Sequence, residues 1–270
     1  MTDWTRATPA ELADALRTAL LPVGEPVGVR LFRDKAAFEA WPAPRPATPI
    51  YYCAAVRMAG AGSALKLGRE DISCDTSPRT LGLEPGFDDP EFIESYVTGG
   101  LYRDLEVAES VLAGVATLSG MAGVALAPLA AFSPDEPPDV VILPTTPYGA
   151  MRIVQAAGFH GDRARADAIG MHGICAESTA LPYTTGEARM SLLCSGTRHV
   201  AGWEEGLMSV GIPMKRLPML VDGLVATAER YEPDERKERM RTACRCGSGQ
   251  EDRLRETLGS LSDGTGYFCK

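Results

Sequence analysis

Two short stretches of the chain place a cysteine, an arginine and a glycine in nearly the same order. The first, "ISCDTSPRTLGL", contains Cys74 and Arg79, and the second, "LLCSGTRHVAGW", contains Cys194 and Arg198. In each stretch the arginine follows the cysteine by four or five positions and a glycine follows it by eight. Thiols are metal ligands and nucleophiles. The repetition therefore predicts that both cysteines serve one site.

Each of these cysteines also has a partner upstream that is followed by alanine. Cys53 precedes Cys74 by 21 residues, and Cys175 precedes Cys194 by 19. This pattern indicates a weak internal duplication with a period of about 120 residues. We expect an α/β protein of two pseudo-equivalent halves, residues 1–118 and 119–230, packed into one unit with a cleft between them. Residues 231–270 are expected to form a charged, glycine-rich extension.

Equivalent residues of two related halves come together near a pseudo-twofold axis, so four thiols could meet there. Such a set suits an iron–sulfur cluster of the [4Fe–4S] type, with zinc as the alternative. The opposing interpretation is that each cysteine is a core residue, because cysteine is among the most frequently buried residues. None of the four belongs to a compact Cys-x-x-Cys pair. The predicted ligands are Cys53, Cys74, Cys175 and Cys194.

Arginine and histidine residues near these cysteines are candidate catalytic groups. Arg79 and Arg198 are expected to offset the charge of a cluster or to hold an anionic substrate. His172 and His199 are candidate proton donors, and His172 precedes Cys175 by three residues. A metal-free enzyme with a cysteine nucleophile stays open, because a neighbouring arginine or histidine lowers the pKa of a thiol.

Several of these motifs together resemble one known family. "YYCAAVRMA", "EDISCDTSPRTLGL", "GMHGICAES", "LLCSGTRHVAGW" and "MSVGIP" occur in the order found in domain of unknown function 169 (DUF169). The resemblance covers approximately residues 10–230. It implies an α/β domain with recurrent cysteines, for which a metal or iron–sulfur site is a reasonable expectation. Relatives often carry a glycine-rich stretch after the second cysteine, where this chain has Thr-Ser-Pro.

Composition limits the classes of function. The chain has 270 residues and a formal charge of −9, which argues against a nucleic-acid partner and favours a small-molecule substrate. The longest apolar stretch, "GMAGVALAPLAAF", is too short to cross a bilayer. No signal-peptide pattern opens the chain. We therefore expect a cytoplasmic protein without a membrane or nucleic-acid partner, with a homodimer as an open possibility.

Local patterns predict the main elements. Thr8 and Glu11 form a capping box around Pro9 at the start of a helix. Strands are predicted at "VGVRLF", "MAGVALAPLAAF", "DVVILPT" and "LMSVGIP", and the apolar stretch "IYYCAAVRMA" is interpreted as a buried strand that carries Cys53. Helices are predicted at "RDLEVAESVLAGV", "TPYGAMRIVQAAG" and "RLPMLVDGLVATAERY".

The C-terminal stretch "CRCGSG" resembles the opening of the small zinc motif of bacterial secretion ATPases. Cys244, Cys246 and Cys269 could thus form a second zinc site, or could be oxidisable thiols of an exposed tail.

The function expected from the sequence is an iron–sulfur enzyme that acts on a small molecule by sulfur transfer or desulfuration, dehydration or redox chemistry. A non-catalytic zinc- or ligand-binding module is the alternative. The motifs of phosphate loops, dinucleotide-binding folds, zinc proteases and serine hydrolases are missing from the sequence.

Overall fold

Six strands form one antiparallel sheet in the computed structural model, which describes residues 3–20, 23–166, 168–231 and 234–235. Their order across the sheet is β2-β3-β1-β4-β6-β5. The strands are β1 (Val27–Phe32), β2 (Leu65–Leu67), β3 (Gly123–Pro128), β4 (Val140–Thr145), β5 (Arg189–Ser191) and β6 (Met208–Pro213).

Helices cover both faces of this sheet. The α-helices are α1 (Pro9–Leu20), α2 (Lys35–Ala40), α3 (Tyr52–Gly60), α4 (Thr76–Thr80), α5 (Pro90–Thr98), α6 (Leu105–Ala113), α7 (Pro147–Phe159), α8 (Leu181–Thr185) and α9 (Leu217–Tyr231). Two further segments, Gly173–Ala180 and Gly196–Val200, are π-helical. The α/β class expected from the sequence is confirmed.

Alternating side chains of the central strands separate two hydrophobic cores, because successive residues of a strand point to opposite faces. Val141 and Leu143 of β4 join the first core, with α1, α7 and α9. Val140 and Ile142 join the second core, with α3 and the two buried cysteines, Cys53 and Cys175. The cysteines of the predicted site therefore lie on one face of the sheet.

The register of the sheet repeats between its two sides. β1 pairs with β3 from Val27 opposite Pro128, and β4 pairs with β6 from Val140 opposite Pro213, over six residue pairs in each case. The three residues of β2 pair with the second, third and fourth residues of β3. In the same way, the three residues of β5 pair with the second, third and fourth residues of β6. At the centre β1 and β4 run antiparallel. Two pseudo-equivalent halves produce this arrangement. The duplication as its origin stays a prediction, and so does the cleft between the halves.

Pairing groups β3 with β1 and β2, whereas the predicted boundary after residue 118 places β3 in the second half. The matched registers divide the sheet between β1 and β4 instead, so that the boundary along the chain falls between β3 and β4. The two predicted halves, residues 1–118 and 119–230, stay a prediction. The extension 231–270 lies almost entirely outside the described residues.

Several predicted elements are confirmed. Thr8 and Glu11 form the capping box: Glu11 Oε2 accepts from the Thr8 amide at 2.7 Å, and Thr8 Oγ1 accepts from the Glu11 amide at 3.2 Å. The strand predicted around Cys53 is wrong, because this segment is helix α3. Its buried positions, Tyr52, Val56 and Ala59, recur at helical spacing, and a short apolar run does not distinguish a buried strand from a buried helix.

Among the helices described, none combines the length and the apolar character needed to cross a membrane.

Candidate functional site

One cavity of about 200 Å³ brings the four cysteines together on the second-core face of the sheet. Cys53, Cys74, Cys175 and Cys194 all line it, as does His172. Its remaining walls are hydroxyl-bearing or apolar and include neither an acidic residue nor an arginine or lysine. These other lining residues are Tyr51, Thr76, Ser77, Leu101, Met171, Ile174, Ser195, Gly196 and Thr197.

Four different elements carry the four thiols. Cys53 is the second residue of α3, and its carbonyl oxygen accepts a hydrogen bond from Trp203 Nε1 at 3.2 Å. Cys74 lies two residues before α4, whereas Cys175 lies inside the π-helical segment 173–180. Cys194 lies two residues before the second π-helical segment. The cavity is therefore built by long-range packing rather than by one local motif.

Burial disfavours ionisation of two of the four thiols, those of Cys53 and Cys175. Desolvation raises the pKa of Cys53 to about 12, and the neighbouring Cys194 adds to the rise. Desolvation also raises the pKa of Cys175 strongly, with a further contribution from Cys74. Both thiols are 8 % exposed or less. They stay protonated near neutral pH unless a positive charge is brought to them.

His172 is a buried imidazole that lines the same cavity. The residue is 3 % exposed, and within the described part of the chain neither ring nitrogen has a hydrogen-bond partner. Its ring centroid lies 5.1 Å from that of Phe87 and 5.8 Å from that of Tyr96. Desolvation lowers the pKa of His172 to about 4, so that the ring is neutral at pH 7.

Backbone strain is concentrated beside two of the cysteines. His172 has a φ of 56° and Leu193 a φ of 70°, both in the left-handed region that residues with a side chain seldom adopt. His172 precedes the π-helical segment of Cys175, and Leu193 precedes Cys194. Strained residues and π-helical turns both occur preferentially at functional sites. Their clustering here favours the cavity as the functional site.

A buried chain of hydrogen bonds holds Leu193 in this conformation. Ser191 Oγ accepts from the Leu193 amide at 3.0 Å and donates to Glu177 Oε2 at 2.5 Å. Glu177 Oε1 accepts from the amide of Ile169 at 3.0 Å. Glu177 lies in the same π-helical segment as Cys175. This chain therefore connects the backbones that carry Cys175 and Cys194.

Comparison with known proteins gives the family. The family DUF169, described as uncharacterised ArCR, matches residues 15–223. The chain belongs to the DUF169 family. An uncharacterized protein of Methanocaldococcus jannaschii is 30% identical to it over 131 residues, which is 48% of this chain and 55% of that protein. The DUF169 chain thus spans about half the length of this curated relative. No solved structure matches it significantly.

Three of the predicted catalytic residues of this DUF169 chain do not line the cavity. Arg79 donates to the carbonyl of Gly86 at 2.9 Å and stacks on the ring of Phe92, 4.2 Å from its centroid. Arg198 donates to three backbone carbonyls, those of Leu192, Glu204 and Leu207. His199 is exposed. Both arginines are therefore engaged in holding loops, and of the four predicted catalytic residues only His172 faces the thiols.

Two cavity residues of this DUF169 chain were missed by sequence reasoning. Cys74 Sγ donates to Ser77 Oγ at 3.0 Å, and Cys194 Sγ lies 3.2 Å from Thr197 Oγ1. Each hydroxyl residue follows its cysteine by three positions, a spacing that places both on one side of a helical turn. That shared Cys-x-x-(Ser/Thr) spacing is the signal that could have revealed them.

Within the described residues, no three histidine, cysteine or acidic side chains are arranged to hold a single metal ion. Cys244, Cys246 and Cys269, the second predicted metal site, lie outside the described residues.

Proposed function

We propose that this DUF169 chain binds an iron–sulfur cluster of the [4Fe–4S] type through Cys53, Cys74, Cys175 and Cys194, and acts with it on a small molecule. The observation that carries the proposal is the convergence of these four thiols on one cavity from four separate elements. Cysteine sulfur is the usual protein ligand of iron–sulfur clusters.

The size of the cavity favours a cluster over a single ion. A tetrahedral zinc ion draws its four sulfurs to about 2.3 Å from one point. The four thiols line a cavity of about 200 Å³. A cavity that holds a single water molecule needs a volume of only about 10–15 Å³. A group that offers each thiol a separate iron suits a cavity of this volume better than one ion does.

The electrostatics of the cavity also support a metal group over a metal-free nucleophile. Burial raises the pKa of both Cys53 and Cys175, and no arginine or lysine lines the cavity to lower it. A thiol needs its thiolate form to attack an electrophile. The side chains that line the cavity do not supply the positive charge that this form requires, whereas iron bound by these thiols would supply it.

His172 is the residue best placed to handle a proton. When bound, a cluster supplies Lewis acidity or an electron to a small molecule. The neutral imidazole carries a proton on one nitrogen and a lone pair on the other, so it can donate to or accept from a group in the cavity. The proposed chemistry is therefore sulfur transfer or desulfuration, dehydration or a redox step, with His172 as proton donor.

The substrate expected from this site differs from the one suggested by the sequence. Arg79 and Arg198 were predicted to hold an anionic group, but both are occupied by backbone carbonyls outside the cavity. The walls are formed instead by neutral side chains. An uncharged small molecule therefore suits the cavity better than a phosphate or a carboxylate, because burying an unpaired charge is costly.

The decisive experiment is metal and acid-labile sulfide analysis of the full chain purified without oxygen. We expect iron and sulfide in the unaltered protein and their loss in Cys53→Ala, Cys74→Ala, Cys175→Ala and Cys194→Ala. Cys269→Ala, which is not one of the four proposed ligands, is the control and should keep both. Unchanged iron and sulfide in all four variants would end the proposal.

A zinc- or ligand-binding module is the second candidate, and the apolar wall formed by Tyr51, Leu101, Met171 and Ile174 favours it. Stoichiometric zinc without sulfide, or a bound organic molecule without metal, would support this candidate. Loss of activity on alkylation of Cys175 or Cys194 in metal-free protein would instead support a thiol enzyme.

The proposal places the protein in the cytoplasm, where thiols stay reduced. A homodimer is the assembly to test, by measurement of the molar mass in solution.

A further inference from the structure

A second cavity, larger than the thiol cavity, lies beside the C-terminal part of helix α3. Its volume is about 310 Å³. Arg57 and Gly60 of α3 line it, together with residues of β4 and of the segment 202–207. None of the four cysteines of the thiol cavity lines it, and neither does His172. Because ligand pockets have volumes of about 300–1,000 Å³, this second cavity has room for a small molecule.

Two opposite charges line the second cavity without pairing with each other. Arg57 and Glu204 are the charged residues among its described walls. Within the part of the chain that the structure describes, they form no ion pair, and the Glu204 carboxylate has no hydrogen-bond partner. Both side chains are exposed to solvent. Each is therefore free to form a charge-assisted hydrogen bond with a ligand.

The backbone fixes the position of the Arg57 guanidinium. Its Nη1 donates to the carbonyl of Ala201 at 2.7 Å. A Cβ atom on Gly202 would lie 2.6 Å from the same Nη1, and Gly202 has a left-handed φ of 68°. Glycine at this position therefore leaves the space that the guanidinium occupies. One hydrogen bond to a carbonyl leaves other N–H donors of the guanidinium for a ligand.

The loop that carries Glu204 is also held in place. The carbonyl of Glu204 accepts from Arg198 Nη1 at 2.8 Å and from the amide of Leu207 at 3.1 Å. The loop is thus fixed by its own backbone, whereas the carboxylate takes no part in holding it. A site whose backbone is already ordered loses less entropy when a ligand binds.

Apolar side chains complete the walls. Pro144 and Trp203 are buried, and Leu207 is half-buried. Trp203 Nε1 donates to the carbonyl of Cys53 at 3.2 Å, so its one polar atom is already used. This part of the cavity therefore offers a ligand apolar surface, next to one positive and one negative charge.

We propose that the second cavity binds a small zwitterion of the α-amino-acid class with an apolar side chain. Arg57 binds its carboxylate, because a guanidinium matches the geometry of that group. Glu204 accepts from its ammonium group, and Trp203 and Leu207 contact its side chain. A ligand with only a negative charge would be repelled by Glu204, and one with only a positive charge by Arg57. The site does not depend on the proposed iron–sulfur cluster.

Titration calorimetry of the full chain, in low-salt buffer at pH 7, tests this site. The probes are valine, leucine, isoleucine, methionine and phenylalanine, each titrated separately, and we expect at least one to bind. The amino acid that binds is then compared with two analogues of the same side chain. Its amide lacks the carboxylate, and its deaminated acid lacks the ammonium group. Both analogues should bind about tenfold more weakly, because each loses a charge-assisted hydrogen bond.

Substitutions should give a crossed pattern with the same three compounds. Arg57→Gln should weaken binding of the amino acid about tenfold and should not weaken binding of the amide. Glu204→Gln should likewise weaken binding of the amino acid and should not weaken binding of the deaminated acid. This pattern assigns each charged group of the ligand to one residue of the cavity.

The chain offers a matched control for each substitution. Arg33 is exposed and, like Arg57, donates to a backbone carbonyl, that of Ser119 at 2.8 Å, but it does not line the second cavity. Glu205 is the exposed neighbour of Glu204 and does not line the cavity either. Arg33→Gln and Glu205→Gln should leave binding of the amino acid unchanged.

Three results would overturn the proposal. The first is that none of the five amino acids binds at millimolar concentration. The second is that the deaminated acid binds as tightly as the amino acid, which would indicate a site for an anion alone. The third is equal weakening by the cavity variants and their controls. Iron and sulfide analysis decides the proposed function separately, because absence of metal would leave all of these expectations unchanged.

Discussion

A Cβ atom placed on Gly173 would lie 2.7 Å from the Cα of Leu193. The backbone that leads to Cys175 thus touches the backbone that leads to Cys194, with no room for a side chain between them. Glu177 and Ser191 connect the same two segments by hydrogen bonds. The distance between two of the proposed ligands is therefore set by a contact that only glycine permits.

Gly173→Ala should separate these two segments. A Cβ contact below 3.0 Å requires one backbone to shift, and overpacking of this kind costs about 1–3 kcal/mol of unfolding free energy. Urea denaturation measures the loss, and iron analysis should show reduced binding. Gly158→Ala in α7 is the control, because nothing lies within 4 Å of its Cβ position. It should be neutral or stabilising, and equal effects of the two substitutions would contradict this account.

At Leu193, alanine should be worse than glycine. Either substitution removes a buried leucine side chain, which costs about 2–5 kcal/mol. Only glycine also relieves the left-handed φ of 70°, which recovers about 1–2 kcal/mol. We therefore expect Leu193→Gly to unfold at a higher urea concentration than Leu193→Ala. At Leu16 in helix α1 the order should be the reverse, because glycine weakens a helix interior.

His172 should make the metal-free protein acid-sensitive. Its folded pKa of about 4 lies below the ordinary 6.5, so the folded state favours the neutral ring. The stabilisation is complete above pH 6.5 and is lost as the pH falls toward 4, by roughly 3 kcal/mol. His172→Asn, which tolerates the left-handed backbone, should lose less stability between pH 7 and 4 than the unaltered protein. His199→Asn, at an exposed position, is the control, and an unaltered pH slope in His172→Asn would refute the assignment.

Cys53 should make the metal-free protein sensitive to alkali. Burial raises the folded pKa of this thiol from 9.0 to about 12, so the unfolded chain ionises first. Stability is retained below pH 9 and then falls by about 1.4 kcal/mol per pH unit until the folded thiol also ionises. Chemical denaturation at several alkaline pH values should show a shallower decline for Cys53→Ala than for the unaltered protein. Equal declines would show that the Cys53 thiol is already ionised or exposed.

The predicted strands correspond closely to the observed ones where the sequence gives local signals. "VGVRLF" is β1, and "DVVILPT" contains β4, because β-branched runs bounded by glycine, proline and polar residues favour buried strands. The segment of Cys53 was misassigned since its alanine-rich apolar run fits either element. Only tertiary packing decides such a case.

The candidate site was partly predictable from the two stretches in which cysteine, arginine and glycine recur in the same order. The repetition, with the cysteine upstream of each stretch, predicted that Cys53, Cys74, Cys175 and Cys194 meet. The four line one cavity, and metal binding stays a prediction. The arginine of the second stretch, Arg198, was predicted to be a catalytic group, but it holds a loop by donating to backbone carbonyls. A side chain's direction depends on the turn that carries it, and spacing along the sequence does not specify that direction.

The distance along the chain between the four cysteines that line the cavity has a consequence for the synthesis of the protein on the ribosome. A nascent chain that ends before Cys194 lacks one of the four thiols and cannot assemble either the cavity or the β4–β6 pairing. Because contacts between distant residues form slowly, assembly of the thiol site should follow synthesis of most of the chain. Delivery of the proposed cluster would then be a late, post-translational event in the maturation of this protein.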